Sequence, residues 1–158
     1  AEMLINNGAD VNCLDDAGIS PLQFAVLYNN TEIVKLLLDK GAYPMLAGAA
    51  GRTAFHIAAE NGNQEILKLL FKDLQEVNIL TSGHYSLIHS VVLGISKSKT
   101  AEVDKYFKTL EFLVGDKKSD PFIINSSDQI PRDLLEEYNY DYLDRYDDIL
   151  ELAGCYND

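Results

Sequence analysis

The sequence predicts an all-α fold in which short helix-turn-helix units stack into a solenoid, joined by β-hairpin-like turns. Two observations carry that prediction. The stretch from Ser20 to Pro44, SPLQFAVLYNNTEIVKLLLDKGAYP, returns from Thr53 to Val77 as TAFHIAAENGNQEILKLLFKDLQEV. Each copy carries its own helix starts and stops, yet holds too little apolar surface to close a core alone. Stacked copies close one, because each offers its apolar face to the next.

The elements follow in order. Ser20 before Pro21 reads as a helix start: a hydroxyl that accepts from an orphan N–H, then a residue with no N–H to orphan. The apolar run Leu22 to Leu27 fills this first helix, and Asn29, which tolerates the left-handed conformation, ends it. A second helix spans Thr31 to Lys40. Its apolar residues Ile33, Val34, Leu36, Leu37 and Leu38 are dense enough to predict burial on most sides, and Gly41 closes it. Turn residues fill Ala42 to Arg52. In the second copy Thr53 is the cap, Gly62 the stop, and Ile66, Leu67, Leu69, Leu70 and Phe71 fill the second helix. Leu74 stands where the closing glycine is expected, which leaves the end of that helix open.

A third start lies near Thr81, where HYSLIHSVV falls in register with RTAFHIAA. Three periods after Pro21 fall at Asp120, yet the matching proline is Pro131. An insertion of about 11 residues has therefore entered the third unit, and insertions in a stack of repeats map to surface loops. The polar run Ser96 to Glu102 is their natural place, as a longer inter-helix loop or an extended second helix. The helix is expected to resume near Glu102 and to run through Phe107, Leu110, Phe112 and Leu113, with the altered stop GDKKSD after it. From Pro131, Leu134, Leu135 and Tyr138 are expected to pack on the third unit. Tyr142, Leu143, Tyr146, Ile149 and Leu150 then form a stripe at helical spacing, opposite the acidic face Asp141, Asp144, Asp147, Asp148 and Glu151. The prediction is a capping unit with a polar outer face. A dedicated acidic docking helix is the alternative.

The period of 33, the start G-x-S-P-L-x-x-A from Gly18 to Ala25 and the run EIVKLLLDKGA from Glu32 to Ala42 resemble ankyrin repeats. The resemblance divides the chain, as one domain over 1–158, into a partial unit over 1–14, repeats over 15–47 and 48–80, a repeat with the insertion over 81–125, and the atypical cap over 126–158. Gly8-Ala9, one period before Gly41-Ala42, read as the tail of a repeat whose first helix is missing. The expectation is a fragment of a longer array.

The resemblance also implies a function. In similar proteins the turn tips and outer first-helix positions line a concave face that holds a partner protein. Here those positions are Asp16, Ala17, Ile19, Leu27 and Tyr28, then Ala49, Ala50, Arg52, Glu60 and Asn61, then Ser82, Gly83, Tyr85 and Leu93. The implied module is non-catalytic and monomeric. The alternative is the substrate-recognition region of a larger enzyme or secreted effector whose catalytic domain lies outside this chain.

Composition narrows the classes. A formal charge of −12 and an isoelectric point near 4.5 oppose phosphate backbones and anionic lipid surfaces, and favour a partner with a basic patch. No apolar run approaches a membrane span, and the first residues lack a secretory signal. Two cysteines, Cys13 and Cys155, do not make a disulfide framework, so a reducing compartment is expected: the cytoplasm or another intracellular space, the host cytosol for an effector. No nucleophile elbow, phosphate loop or zinc-protease motif occurs, and no cofactor is expected. His56 and Glu60 share a helix face at i and i+4, but nothing completes a metal set. In the ankyrin pattern such a histidine bonds the neighbouring turn backbone, which is the expectation for His56 and His89.

Overall fold

The computed structural model describes residues 10–156. Residues 1–9, including Gly8 and Ala9 of the partial first unit, and residues 157–158 lie outside the described residues. The fold is helical, with no strand among the described residues, as the sequence predicts.

The first unit contributes α1 (Pro21–Leu27) and α2 (Thr31–Asp39). The second contributes α3 (Ala54–Glu60) and α4 (Gln64–Leu70). The third contributes α5 (Leu87–Lys97) and α6 (Asp104–Glu111), and the last α7 (Pro131–Tyr138) and α8 (Leu143–Leu152). The first helices α1, α3, α5 and α7 pack side by side in one row, and the second helices line up behind them. The core lies between the rows, with Phe55, Phe107 and Tyr146 among its largest buried side chains.

Between units the chain makes one turn four times. The N–H of Asp15 donates to the carbonyl of Ile19 at 3.0 Å, Gly48 to Arg52 at 2.8 Å, Thr81 to Tyr85 at 3.1 Å and Asn125 to Gln129 at 2.9 Å. The first two steps between these turns are each one full period, and the third is longer by the insertion. Neighbouring turns are tied directly: the Ser82 N–H donates to the carbonyl of Ala50 at 3.0 Å, and Ser126 to Gly83 at 2.9 Å. These single bonds join the turns in the manner of a hairpin without building a strand.

Four expectations need correction, the second only in part. Helix α2 is not buried on most sides. Val34 and Leu37 are buried, but Ile33, Leu36 and Leu38 are only partly covered and Glu32, Lys35 and Asp39 are exposed. A helix in the back row has one neighbour layer in front and solvent behind. The polar run does form a longer connection between the helices, over 98–103 against 28–30 in the first unit, but part of the insertion lengthens the first helix as well. Helix α5 has 11 residues where α1 and α3 have 7, and a short 3-10 turn over Thr100–Glu102 completes the connection to α6. Helix α6 ends at Glu111 and widens into a π-helical turn over Phe112–Asp116. Its altered stop brings the Lys117 ammonium over the Phe71 ring at 4.7 Å. Finally, Tyr138 does not pack on the third unit: it is exposed, while Leu134 and Leu135 are buried.

Two open ends are also resolved. With Leu74 in place of a glycine, α4 stops at Leu70, one half-turn earlier than α2 does in its own unit. In α8, Leu143, Tyr146, Ile149 and Leu150 are buried, while Asp144, Asp148 and Glu151, with Asp141 on the 3-10 turn just before the helix, are exposed. Asp147 leaves that acidic face. Arg132 grips its carboxylate with Nε at 2.8 Å and Nη2 at 2.7 Å, so the pair pins α8 to α7.

Candidate binding face of turn tips and first helices

The turn tips are held in place from behind by one repeated device. At the third position of α1, α3 and α5 a side chain bonds back to its own helix start and forward to the next turn. Gln23 accepts from the Ser20 N–H through Oε1 at 2.9 Å and donates from Nε2 to the carbonyl of Arg52 at 2.8 Å. His56 does the same with an imidazole. Its Nδ1 accepts from the Thr53 N–H at 3.2 Å, which fixes the tautomer and leaves the Nε2–H to donate to the carbonyl of Tyr85 at 3.1 Å. His89 accepts from the Ser86 N–H at 3.1 Å and donates to the carbonyl of Gln129 at 3.0 Å.

Burial is the first cause that lowers the pKa of His56, to about 4, against the opposing hydrogen bond to Tyr85; burial likewise lowers that of His89. Both rings are neutral structural donors. In the last unit the same position is Asp133, which accepts from the Ile130 N–H at 2.9 Å and, as an acceptor only, has no forward donation to make.

The sequence-predicted residues fall along the face that these bonds fix. Asp16 and Ala17 stand at the first turn tip, where the Asp15 carboxylate accepts from the N–H groups of Ala17 and Ile19 at 3.0 and 2.8 Å. Ala49, Ala50 and Ser82 occupy the next two tips. Ala17, Ile19, Leu27, Ala49 and Arg52 come together, with Gln23 and Ile57, around a groove of about 180 Å³ between the first and second units. Ala50, Arg52, Glu60, Gly83, Tyr85 and Leu93 surround a second groove, of about 290 Å³, between the second and third units. Arg52 lines both. Tyr28, 72% exposed, lies outside the grooves and stacks on Phe24 with ring centroids 5.8 Å apart.

Two predicted residues turn out to be tied to neighbours. The Asn61 amide donates to the carbonyl of Val26 at 3.3 Å and so helps hold the end of α1. The Glu60 carboxylate accepts from Arg52 and, at 2.6 Å, from Lys97. Because His56 is committed to backbone and Glu60 to two cations, the i, i+4 pair presents no free metal ligands.

Lys97 and Ser90 are groove residues that sequence reasoning missed. Lys97 sits on the added turn of α5, which approaches α3 so closely that a Cβ on Gly94 would collide with the Glu60 carbonyl and the Tyr106 ring. Gly94 is a close-approach glycine inside a helix that runs on.

Comparison with known proteins adds to this geometry. A family model for ankyrin repeats, three copies, matches residues 1–81. An ankyrin and IPT/TIG repeat-containing protein of Schizosaccharomyces pombe is 39% identical over 108 residues, which cover 68% of this chain and 9% of that protein. An E3 ubiquitin-protein ligase of Arabidopsis thaliana, XBAT33, is 33% identical over 105 residues, covering 66% of this chain and 20% of the ligase. The crystal structure of an ankyrin repeat domain from Acinetobacter baumannii AYE superposes with a TM-score of 0.79 at 25% identity, covering 98% of this chain and 74% of that one. Among seven such curated relatives, the matched region spans from 4% to 27% of their lengths.

Proposed function

Because the chain belongs to the ankyrin-repeat family, whose repeat is a general protein-interaction module, we propose that it is a non-catalytic module that holds a partner protein across its turn tips and first helices. One observation carries this reading. The groove between the second and third units gathers Tyr85, Leu93, Ala50 and Arg52 on a single face, all of them at least partly exposed, while the carbonyls of Arg52 and Tyr85 are clamped from behind. Aromatic and arginine side chains on a rigid support are the composition of binding hot spots. The exposed carboxylates of α8 form a separate surface that suits a partner with a basic patch.

A second reading treats the module as the substrate-recognition region of a larger enzyme or effector. The similarity to the Arabidopsis E3 ubiquitin-protein ligase favours it, since the chain spans only a fifth of that protein. The two readings share the same face.

The test is affinity capture from whole-cell lysate with this chain and with a variant carrying Ile19→Ala, Tyr28→Ala, Arg52→Ala and Tyr85→Ala, both shown to fold by thermal melting. A protein held by the first and lost by the second supports the face. Equal capture by both moves the interface to α8 or the third-unit insertion and overturns it.

A further inference from the structure

Resting on that reading of the face, we propose that the groove between the second and third units receives a partner segment in which an acidic side chain stands beside an apolar one. Glu60 accepts from both Arg52 and Lys97, and its side chain is only 18% exposed beneath them. The two cations lie above it, with side chains 43% and 66% exposed. Among the described residues, Arg52 spends one of its N–H donors on Glu60 and Lys97 one of three, so the groove presents unused donors over a covered acceptor.

The sign of the local charge follows. Two cations against one carboxylate leave a surplus of one positive charge, in a chain whose formal charge is −12. A basic segment would meet exposed ammonium and guanidinium groups and find the Glu60 carboxylate covered. A carboxylate meets donors already held in position. Glu60 fixes the Arg52 fork, so little rotamer freedom is left to lose on binding. Tyr85, Leu93 and Ala50 complete the lining, which calls for an apolar side chain next to the acid. The volume of about 290 Å³ suits a few side chains of an extended segment, not a whole helix. At physiological salt the chain's overall negative charge is screened beyond about 8 Å, so it does not forbid a carboxylate that lies against Arg52.

The experiment is selection of a random-peptide display library on the folded chain. Fluorescence polarisation of the enriched peptides then follows against the wild type, Arg52→Ala, Lys97→Ala, Glu60→Gln and Tyr85→Ala. The expected peptides carry Asp or Glu next to an aliphatic or aromatic residue. Arg52→Ala weakens them by about tenfold or more, as loss of a charge-assisted bond requires. Glu60→Gln weakens them less than Arg52→Ala does, because it loosens the Arg52 fork but leaves both cations in place. Enriched peptides that are basic or uncharged, or an affinity unchanged by Arg52→Ala and Lys97→Ala, overturn the acid preference. If Tyr85→Ala still abolishes binding in that case, the face itself stands. Peptides indifferent to all four substitutions, or no enrichment, overturn both.

Discussion

His56 donates from Nε2 to the carbonyl oxygen of Tyr85 at 3.1 Å, and Tyr85 in turn lines the groove in front of it. Stacking and recognition thus meet in one residue: the backbone of Tyr85 is gripped by the second unit, while its half-buried side chain packs beside the His89 ring at the groove. Arg52 has the same double position, its carbonyl held by Gln23 while the residue lines both grooves. The bonds that stack the units therefore also fix the spacing of the side chains that a partner would touch. A single unit would supply neither.

That device has a pH signature. His56 has its pKa lowered to about 4 in the folded chain, against 6.5 for the ordinary group, so the folded state favours the neutral ring. Its contribution is fully present above about pH 6.5 and is lost as pH falls towards 4, because the unfolded chain takes up the proton first. Linkage puts the loss at about 2 kcal/mol between pH 7.5 and pH 5. His89, lowered in the same direction, adds to it. Urea denaturation at the two pH values measures the difference. The variant His56→Gln, which copies the chemistry of Gln23, is expected to fold and to show a smaller loss. Equal midpoints for the wild type at both pH values would contradict the account.

Gly94 makes the groove possible and should tolerate no side chain. A Cβ there meets backbone at Glu60 and the ring of Tyr106, neither of which is a flexible tip. Gly94→Ala is expected to destabilise the chain by about 1–3 kcal/mol, the cost of overpacking. It also pushes Lys97 away from Glu60. Chemical denaturation gives the first quantity. A variant as stable as the wild type would mean that α5 does not approach α3 this closely.

Much of this was legible in the sequence, and the limits have physical causes. Period and punctuation implied the stack because helix starts and stops are local chemistry: Ser20 caps α1, and Asn29 takes φ +53 to end it. The forward bonds of His56 and His89 were legible only through the resemblance to ankyrin repeats, which implies them at those two positions. The part of the insertion that lengthens α5 was not legible, since Gly94 permits both a stop and a close approach and only the neighbouring helix decides between them. For the same reason the candidate face lost part of its meaning in one dimension. Glu60 and Asn61 occupy outer positions, yet Lys97 and the end of α1, both far away along the chain, engage them. Tyr138 misled in the opposite way: it keeps helical spacing with Leu134 and Leu135 but lies past the edge of what the third unit covers.

The central claim, that a partner lies across the turn tips and first helices, is tested most directly by photo-crosslinking. A photoreactive phenylalanine analogue replaces Tyr85 in one protein and Asp148, on α8, in another. Each is incubated with the partner captured from lysate and irradiated. The account predicts a strong crosslinked band from position 85 and little from position 148. A crosslink from 148 with none from 85 would place the partner on the acidic cap and contradict it.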